Sequence, residues 1–170
     1  SHVANTETWN GTNWTEVNDL NTARKNIGGT GATNTAALAF GGRTDPPTNL
    51  NAETESWNGT NWTEVSDLNS ARRGPGNAGT STAALAFGGA TPRVANTEAW
   101  NGSAWYEVND LNGATDNLGS LGATQSAALA IGGEVPGVSA KVETWDGSTW
   151  TETNDLNTAR RNIGAAGTNT

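Results

Sequence analysis

Carboxylates are the residues of this chain that could most readily do chemistry. There are 17 acidic and nine basic residues, no cysteine, and a single histidine, His2, in a tag-like N-terminal pair with Ser1. The chain therefore lacks a thiol nucleophile and an internal histidine base, whereas two carboxylates about 5–10 Å apart could hydrolyse a glycoside. The acidic residues recur at equivalent places in every repeat, and a catalytic pair would normally occur once. We expect no enzyme activity, catalytic residue, metal site or cofactor.

The elements that position these carboxylates belong to one repeated unit. Each copy has Glu, a small residue, Trp, an Asn-Gly or Asp-Gly turn, a second Trp and an acidic strand, and the first tryptophans are Trp9, Trp57, Trp100 and Trp145. A period of roughly 45 residues is typical of propeller blades and other stacked arrays. Asn-Gly between strand-like runs favours a hairpin, because both residues tolerate positive φ. All eight tryptophans belong to the repeat, so we expect them in the core.

Each unit reads as four strands without helical periodicity. In the first complete unit, polar residues 30–35 predict the first strand, and the apolar run 36–42 predicts a second strand buried on both faces. The third strand ends at Trp57. The fourth covers residues 62–68, where Trp, Val and Leu fall three apart, so we expect a bulge or strong twist there.

This strand order resembles the kelch repeat, whose motif includes Gly-Gly, Glu, Trp and Arg. The matching residues span nearly the whole chain: Gly41-Gly42, Gly88-Gly89 and Gly132-Gly133; Glu7, Glu55, Glu98 and Glu143; Trp14, Trp62, Trp105 and Trp150; and Arg24, Arg72 and Arg160. Trp replaces the usual Tyr after each Glu, and Thr115 stands where the third repeat should carry Arg. The resemblance implies four-stranded propeller blades in which Glu and Arg are largely architectural. The recurring sequence motifs are also similar to those of kelch-like arrays in marine phage virion and tail proteins.

The fold expected is therefore an all-β, kelch-like β-propeller of four-stranded antiparallel blades, with residues 1–170 forming one domain or a propeller fragment. About four repeats begin near Thr6, Thr54, Thr97 and Val142. Residues 164–170 repeat the first strand, but the apolar second strand occurs only three times. The last blade would then lack its second strand and leave exposed edges. We expect a homo-oligomer or a part of a longer array.

All nine basic residues fall in the crossovers between blades or in the loops between second and third strands, which should share one face. Loops on a rigid scaffold commonly carry binding function. We therefore expect ligand contacts from these residues: Arg43, Arg93, Lys141, Lys25, Arg73 and Arg161. The alternative for Arg43, Arg93 and Lys141 is plain solvation. For Arg24, Arg72 and Arg160, internal bracing is favoured over binding.

Composition narrows the functional class. A net charge of −8 argues against nucleic acid, whose binding needs clustered Lys and Arg, and no apolar run is long enough to span a bilayer. We expect a non-enzymatic binding or structural module of a virion appendage or extracellular surface protein, recognising a glycan or a protein. The alternatives are an engineered or minimal repeat fragment that self-assembles, and an intracellular kelch-type scaffold.

Overall fold

A computed structural model describes residues 3–44 and 49–167, and this part of the chain contains β-strands and no helix. The strands are β1 (Thr6–Trp9), β2 (Trp14–Val17), β3 (Gly28–Thr33), β4 (Ala36–Phe40), β5 (Arg43–Thr44), β6 (Asn49–Leu50), β7 (Thr54–Trp57), β8 (Trp62–Val65), β9 (Gly76–Gly79), β10 (Ala84–Phe87), β11 (Thr97–Trp100), β12 (Trp105–Val108), β13 (Gly119–Thr124), β14 (Ala127–Ile131), β15 (Glu134–Val135), β16 (Gly137–Val138), β17 (Val142–Trp145) and β18 (Trp150–Glu152).

These strands form three equivalent four-stranded antiparallel sheets. Sheet 1 has the order β3-β4-β7-β8, sheet 2 the order β9-β10-β11-β12, and sheet 3 the order β13-β14-β17-β18. The N-terminal hairpin, β1-β2, repeats only the outer half of this unit, and β5-β6 and β15-β16 are short loop ribbons. The expectation of an all-β chain built from repeated four-stranded antiparallel units is confirmed.

The apolar second strand is the centre of each sheet. In sheet 1, β4 pairs with β3 on one side and β7 on the other, with Phe40 opposite Gly28 and Thr54. Phe40 is fully buried, and a Cβ on Gly28 would overlap its ring. Gly41 and Gly42 then end the strand and lead into the loop. Both have positive φ, a backbone conformation that residues with a side chain rarely adopt.

The tight hairpins occur where the sequence predicted them, but with a different backbone. In sheet 1, Trp57 and Trp62 face each other across the turn, and the Asn58 side-chain oxygen accepts the backbone N–H groups of Thr60 and Asn61, both at 2.9 Å. Only Gly59 has positive φ (+93°). The expectation that Asn also adopts positive φ is wrong, because its side chain caps a four-residue loop instead.

The three sheets stack through their first strands and through shared aromatic cores. The Thr30 hydroxyl of β3 donates to the Gly79 carbonyl of β9 at 2.5 Å, and the backbone N–H of Asn77 in β9 donates to the Ser120 hydroxyl of β13 at 3.1 Å. One core lies between sheets 1 and 2, and the other lies between sheets 2 and 3. In the first, the Phe40 ring meets the next sheet's tryptophan ring edge-on, with centroids 5.0 Å apart.

Several local expectations are wrong. The first strand of sheet 1 begins and ends two residues before the predicted 30–35 span, and β8 ends at Val65 with regular pairing to β7. The register shift lies instead in the β3–β4 ladder, between Gly31 and Thr33. The chain leaves β8 early because the Asp67 carboxylate accepts the Thr54 N–H at 3.3 Å and Leu68 turns into the core.

The two ends of the array also differ from expectation. Residues 164–167 form no strand, and residues 168–170 of that predicted strand lie outside the described residues. Trp9 and Trp14 are 43% and 64% exposed, so the expectation that every tryptophan is in the core is wrong for this hairpin. Among the described residues, β1 pairs only with β2, so no second strand covers these rings.

Candidate functional site

Arg24 joins the crossover before sheet 1 to that sheet's third strand. Its Nη2 donates to Glu55 Oε1 at 2.7 Å, and its Nη1 donates to the backbone carbonyls of Gly41 at 3.0 Å and Glu53 at 2.7 Å. The Arg24 and Glu55 side chains are 0% and 2% exposed. This pair is a buried brace, because every contact of the guanidinium is internal.

Arg72 makes the same arrangement in sheet 2. Its Nη2 pairs with the Glu98 carboxylate, and its Nη1 donates to the carbonyls of Gly88 at 3.4 Å and Asn96 at 2.8 Å. Both side chains of the ion pair are almost fully buried. A crossover arginine therefore links the preceding unit to the glutamate of the unit that follows.

Crossover asparagines complete these braces, although none of them was among the predicted site residues. The backbone N–H and the side-chain Nδ2 of Asn69 donate to Glu98 Oε2 at 2.6 and 3.0 Å. Asn21 repeats both donations onto Glu55. The signal was present, since Asn stands three residues before each crossover Arg.

Tryptophan–threonine hydrogen bonds form a second link between consecutive units. The indole Nε1 of one unit donates to the threonine hydroxyl of the unit before it at 3.0–3.1 Å in three places: Trp62 to Thr6, Trp105 to Thr54, and Trp150 to Thr97. In sheet 3 the threonine position is Val142, which has no hydroxyl to accept such a bond.

The bracing pattern is interrupted in the third and fourth repeats. Thr115 occupies the arginine position of the third repeat. Among the described residues, the Glu143 carboxylate therefore accepts hydrogen bonds from Asn112 but none from a guanidinium. Arg160, expected to be a brace, is exposed, and its Nε donates to the Thr158 carbonyl at 3.3 Å. Among the described residues Arg160 has no carboxylate partner, and Glu7 has no arginine.

The carboxylates form a cross-strand pair in every unit. Glu98 lies opposite Glu107 in the β11–β12 ladder, and burial, with a further contribution from the Glu98 charge, raises the pKa of Glu107. The equivalent pairs recur in all units: Glu7 with Glu16, Glu55 with Glu64, and Glu143 with Glu152. No one pair is singled out as a catalytic couple by its position.

Within the described ranges, no cluster of three or more His, Cys, Asp or Glu side chains could hold a metal ion. In the same part of the chain, no helix is long and apolar enough to cross a membrane.

The crossovers and the loops between second and third strands meet along one side of the array. Backbone bridges join Lys25 to Arg43, Arg73 to Ala90, and a third crossover to its loop at Glu134. We call this side the crossover face. It brings all six tentative ligand-binding residues onto segments that contact one another.

Two of those six residues line one pocket on the crossover face. The pocket, of about 260 Å³, is lined by Arg43, Leu50, Arg73 and Thr91. Arg73 Nε donates to the Thr91 hydroxyl at 3.3 Å, and Arg43 Nε is buried without a hydrogen-bond partner among the described residues. None of these four described residues is acidic.

Three other cations on this face are held by carboxylates. Arg93 Nε donates to Asp116 at 2.8 Å, and Lys141 Nζ donates to Glu152 at 2.9 Å. Arg161 pairs with Glu134, and this hydrogen bond lowers the pKa of the Glu134 carboxyl.

No protein-family model matches the chain, and no curated protein is similar to it in sequence. The kelch resemblance thus rests on the repeated motif residues and stays a prediction.

Proposed function

We propose that this chain is a non-enzymatic binding module of β-propeller type, whose crossover face recognises an acidic glycan. The observation that carries the proposal is the buried Arg43 Nε, which has no hydrogen-bond partner among the described residues and belongs to a pocket that also contains Arg73. A buried donor left unsatisfied costs about 1–3 kcal/mol. A carboxylate or sulfate oxygen in the pocket would satisfy it once the Arg43 side chain turns toward the ligand, because the Nε atom is enclosed in the present conformation. Guanidinium groups bind such oxyanions in a two-pronged geometry.

The size and charge of the pocket support a polar anion. About 260 Å³ approaches the lower end of the roughly 300–1,000 Å³ range of small-ligand sites, which suits one charged sugar unit. Arg43 and Arg73 form no ion pair among the described residues, whereas Arg93, Lys141 and Arg161 each do. The recognition role is therefore assigned to the first two.

Binding of a uronic-acid oligosaccharide, measured by calorimetry, tests this function. We expect binding that weakens as salt rises, is absent with a neutral oligosaccharide of equal length, and is lost in Arg73→Gln. The control, Arg93→Gln, lies on the same face but outside the pocket and should keep the affinity. Equal loss of affinity in both variants, or no binding by the wild type, would contradict the proposal. Binding of an acidic peptide in place of the oligosaccharide would indicate that the ligand of this pocket is a protein.

A second candidate function, self-assembly, is supported by the unmatched residues at the two ends. Arg160 Nε donates to the carbonyl two residues earlier at 3.3 Å, as Arg72 Nε does at 3.2 Å, so Arg160 already has part of the brace geometry. Among the described residues Glu7, like Glu143, has no arginine partner. A head-to-tail contact would pair Glu7 with Arg160 and would cover the exposed Trp9 and Trp14.

Light scattering on a size-exclusion column tests assembly. A mass above 17.5 kDa that falls to the monomer in Glu7→Arg and returns in the double variant Glu7→Arg/Arg160→Glu would support it. A monomer at all concentrations would exclude it. The setting, a virion appendage or other surface protein, and the alternative of an intracellular scaffold both stay predictions.

A further inference from the structure

Sheet 3 contains a cavity at the place where sheets 1 and 2 hold their bracing arginines. Its volume is about 60 Å³, and its lining includes Thr115, Glu143, Gly132 and Lys141. Thr115 takes the sequence position of Arg24 and Arg72. A threonine is too short to reach the glutamate, so the space of the missing guanidinium is left open.

The acceptors that hold a guanidinium in the other sheets recur around this cavity. In sheet 1 they are the carbonyls of Gly41 and Glu53, whose residues are joined by a backbone hydrogen bond of 3.0 Å from the glycine N–H. The equivalent residues of sheet 3 are Gly132 and Lys141, joined by the same bond at 2.7 Å. The backbone frame of the brace is thus present without its arginine.

Glu143 is the third acceptor, and half of its carboxylate is unused. It is 7% exposed, and its Oε2 accepts the backbone N–H and Nδ2 of Asn112 at 2.9 and 2.7 Å. Its Oε1 corresponds to the oxygen of Glu55 that binds Arg24. In the described residues that oxygen of Glu143 receives no hydrogen bond.

The lining of the cavity includes a second departure in the same repeat. Gly113 lines the cavity and stands where the other repeats have Thr22, Ser70 and Thr158. A Cβ built on Gly113 would meet nothing nearer than Val135 Cγ1, at 3.9 Å. Both residues that would fill or narrow the pocket are therefore smaller in this repeat alone.

We propose that this cavity is a binding site for an alkylguanidinium cation, carried by a small guanidino compound or by an arginine side chain of a partner. The volume is several times the 10–15 Å³ that one water needs, which suits a planar group of four heavy atoms. A guanidinium offers donors in a fixed fork, matching one carboxylate oxygen and two carbonyls. The ammonium of Lys141, another lining residue, is bonded to Glu152.

Titration with n-propylguanidinium at low millimolar concentrations, far below denaturing levels, tests the site. We expect saturable binding by calorimetry, chemical-shift changes centred on Gly113 and the Asn112 side-chain amide, and a Tm rise of about 3–6 °C at ten times the Kd. The blocked variant Thr115→Arg should bind nothing and should itself melt higher than the wild type. Equal binding by Thr115→Arg and the wild type, or no saturable binding by the wild type, would overturn the proposal.

Two further arms keep the test decisive. If Thr115→Arg fails to fold, Gly113→Ser, which copies the second repeat at this lining position, should weaken binding, and unchanged affinity would count against the site. Butylammonium should bind at least tenfold more weakly than propylguanidinium, and equal affinity would refute guanidinium recognition. A capped Gly-Arg-Gly peptide that binds more tightly than propylguanidinium identifies a protein partner as the source, whereas its exclusion identifies a small compound.

Discussion

Replacing Arg72 by Met removes the guanidinium of a buried ion pair and keeps most of its aliphatic stem. Breaking such a pair by removing one partner costs about 3–5 kcal/mol. Glu98 keeps N–H donors from Asn69 and Ser70, so we expect the lower end, about 3 kcal/mol. In a chain of this length each kcal/mol lowers Tm by about 2–4 °C, which gives a fall of about 6–12 °C.

Thermal unfolding followed by tryptophan fluorescence measures this effect, with urea unfolding as a second probe. Arg73→Met is the matched control, because Arg73 adjoins Arg72 but has no carboxylate partner among the described residues, and it should change stability by no more than about 0.5 kcal/mol. The double variant Arg72→Met/Glu98→Leu should recover part of the loss, since it leaves no buried charge. A Tm of Arg72→Met within about 2 °C of the wild type would refute the brace reasoning.

Three further outcomes are expected. Hydrogen bonds from two backbone N–H groups of its own turn lower the pKa of Asp146. Its carboxylate therefore stabilises the fold above the unfolded pKa, and this stabilisation is lost as pH falls through the lower folded pKa. Asp146→Asn should flatten the Tm–pH profile in acid, and an unchanged profile would contradict this. Gly76→Ala, whose Cβ would overlap the buried Phe87 ring, should cost about 1–3 kcal/mol in urea unfolding; a neutral result would mean that the ring can move. Thr97→Val leaves the buried Trp150 N–H without its acceptor and should lower stability by about 1–3 kcal/mol, whereas Thr97→Ser should not.

Much of the fold could be predicted because its signals are local. The apolar run that became β4, the Gly-Gly pair after it, and the Asn-Gly turn between Trp57 and Trp62 each act within a few residues. Because this residue pattern occurs three times, it predicts the same four-stranded sheet three times. Strand ends were predicted less well, since Asp67 and Leu68 end β8 through contacts outside that strand.

Much less of the candidate site could be predicted. The bracing role of Arg24 and Arg72 followed from the resemblance, but their partners lie in the next unit and required the stacking of the sheets. The six cations proposed to bind ligand looked alike in sequence. Only their surroundings distinguish Arg43, whose Nε has no partner in the part of the chain that the structure describes, from Arg93, which is paired with Asp116.

The sequence by itself determined the repeat, the strands within it, and the absence of cysteine chemistry. The tertiary structure decided which copies of the same residue are buried, because burial depends on the neighbouring sheet and not on the local sequence. Trp105 is 5% exposed beneath Phe40, whereas Trp14, in nearly the same local sequence, is 64% exposed. Likewise, Arg72 is enclosed between two units while Arg160 faces solvent, since no described unit packs over it.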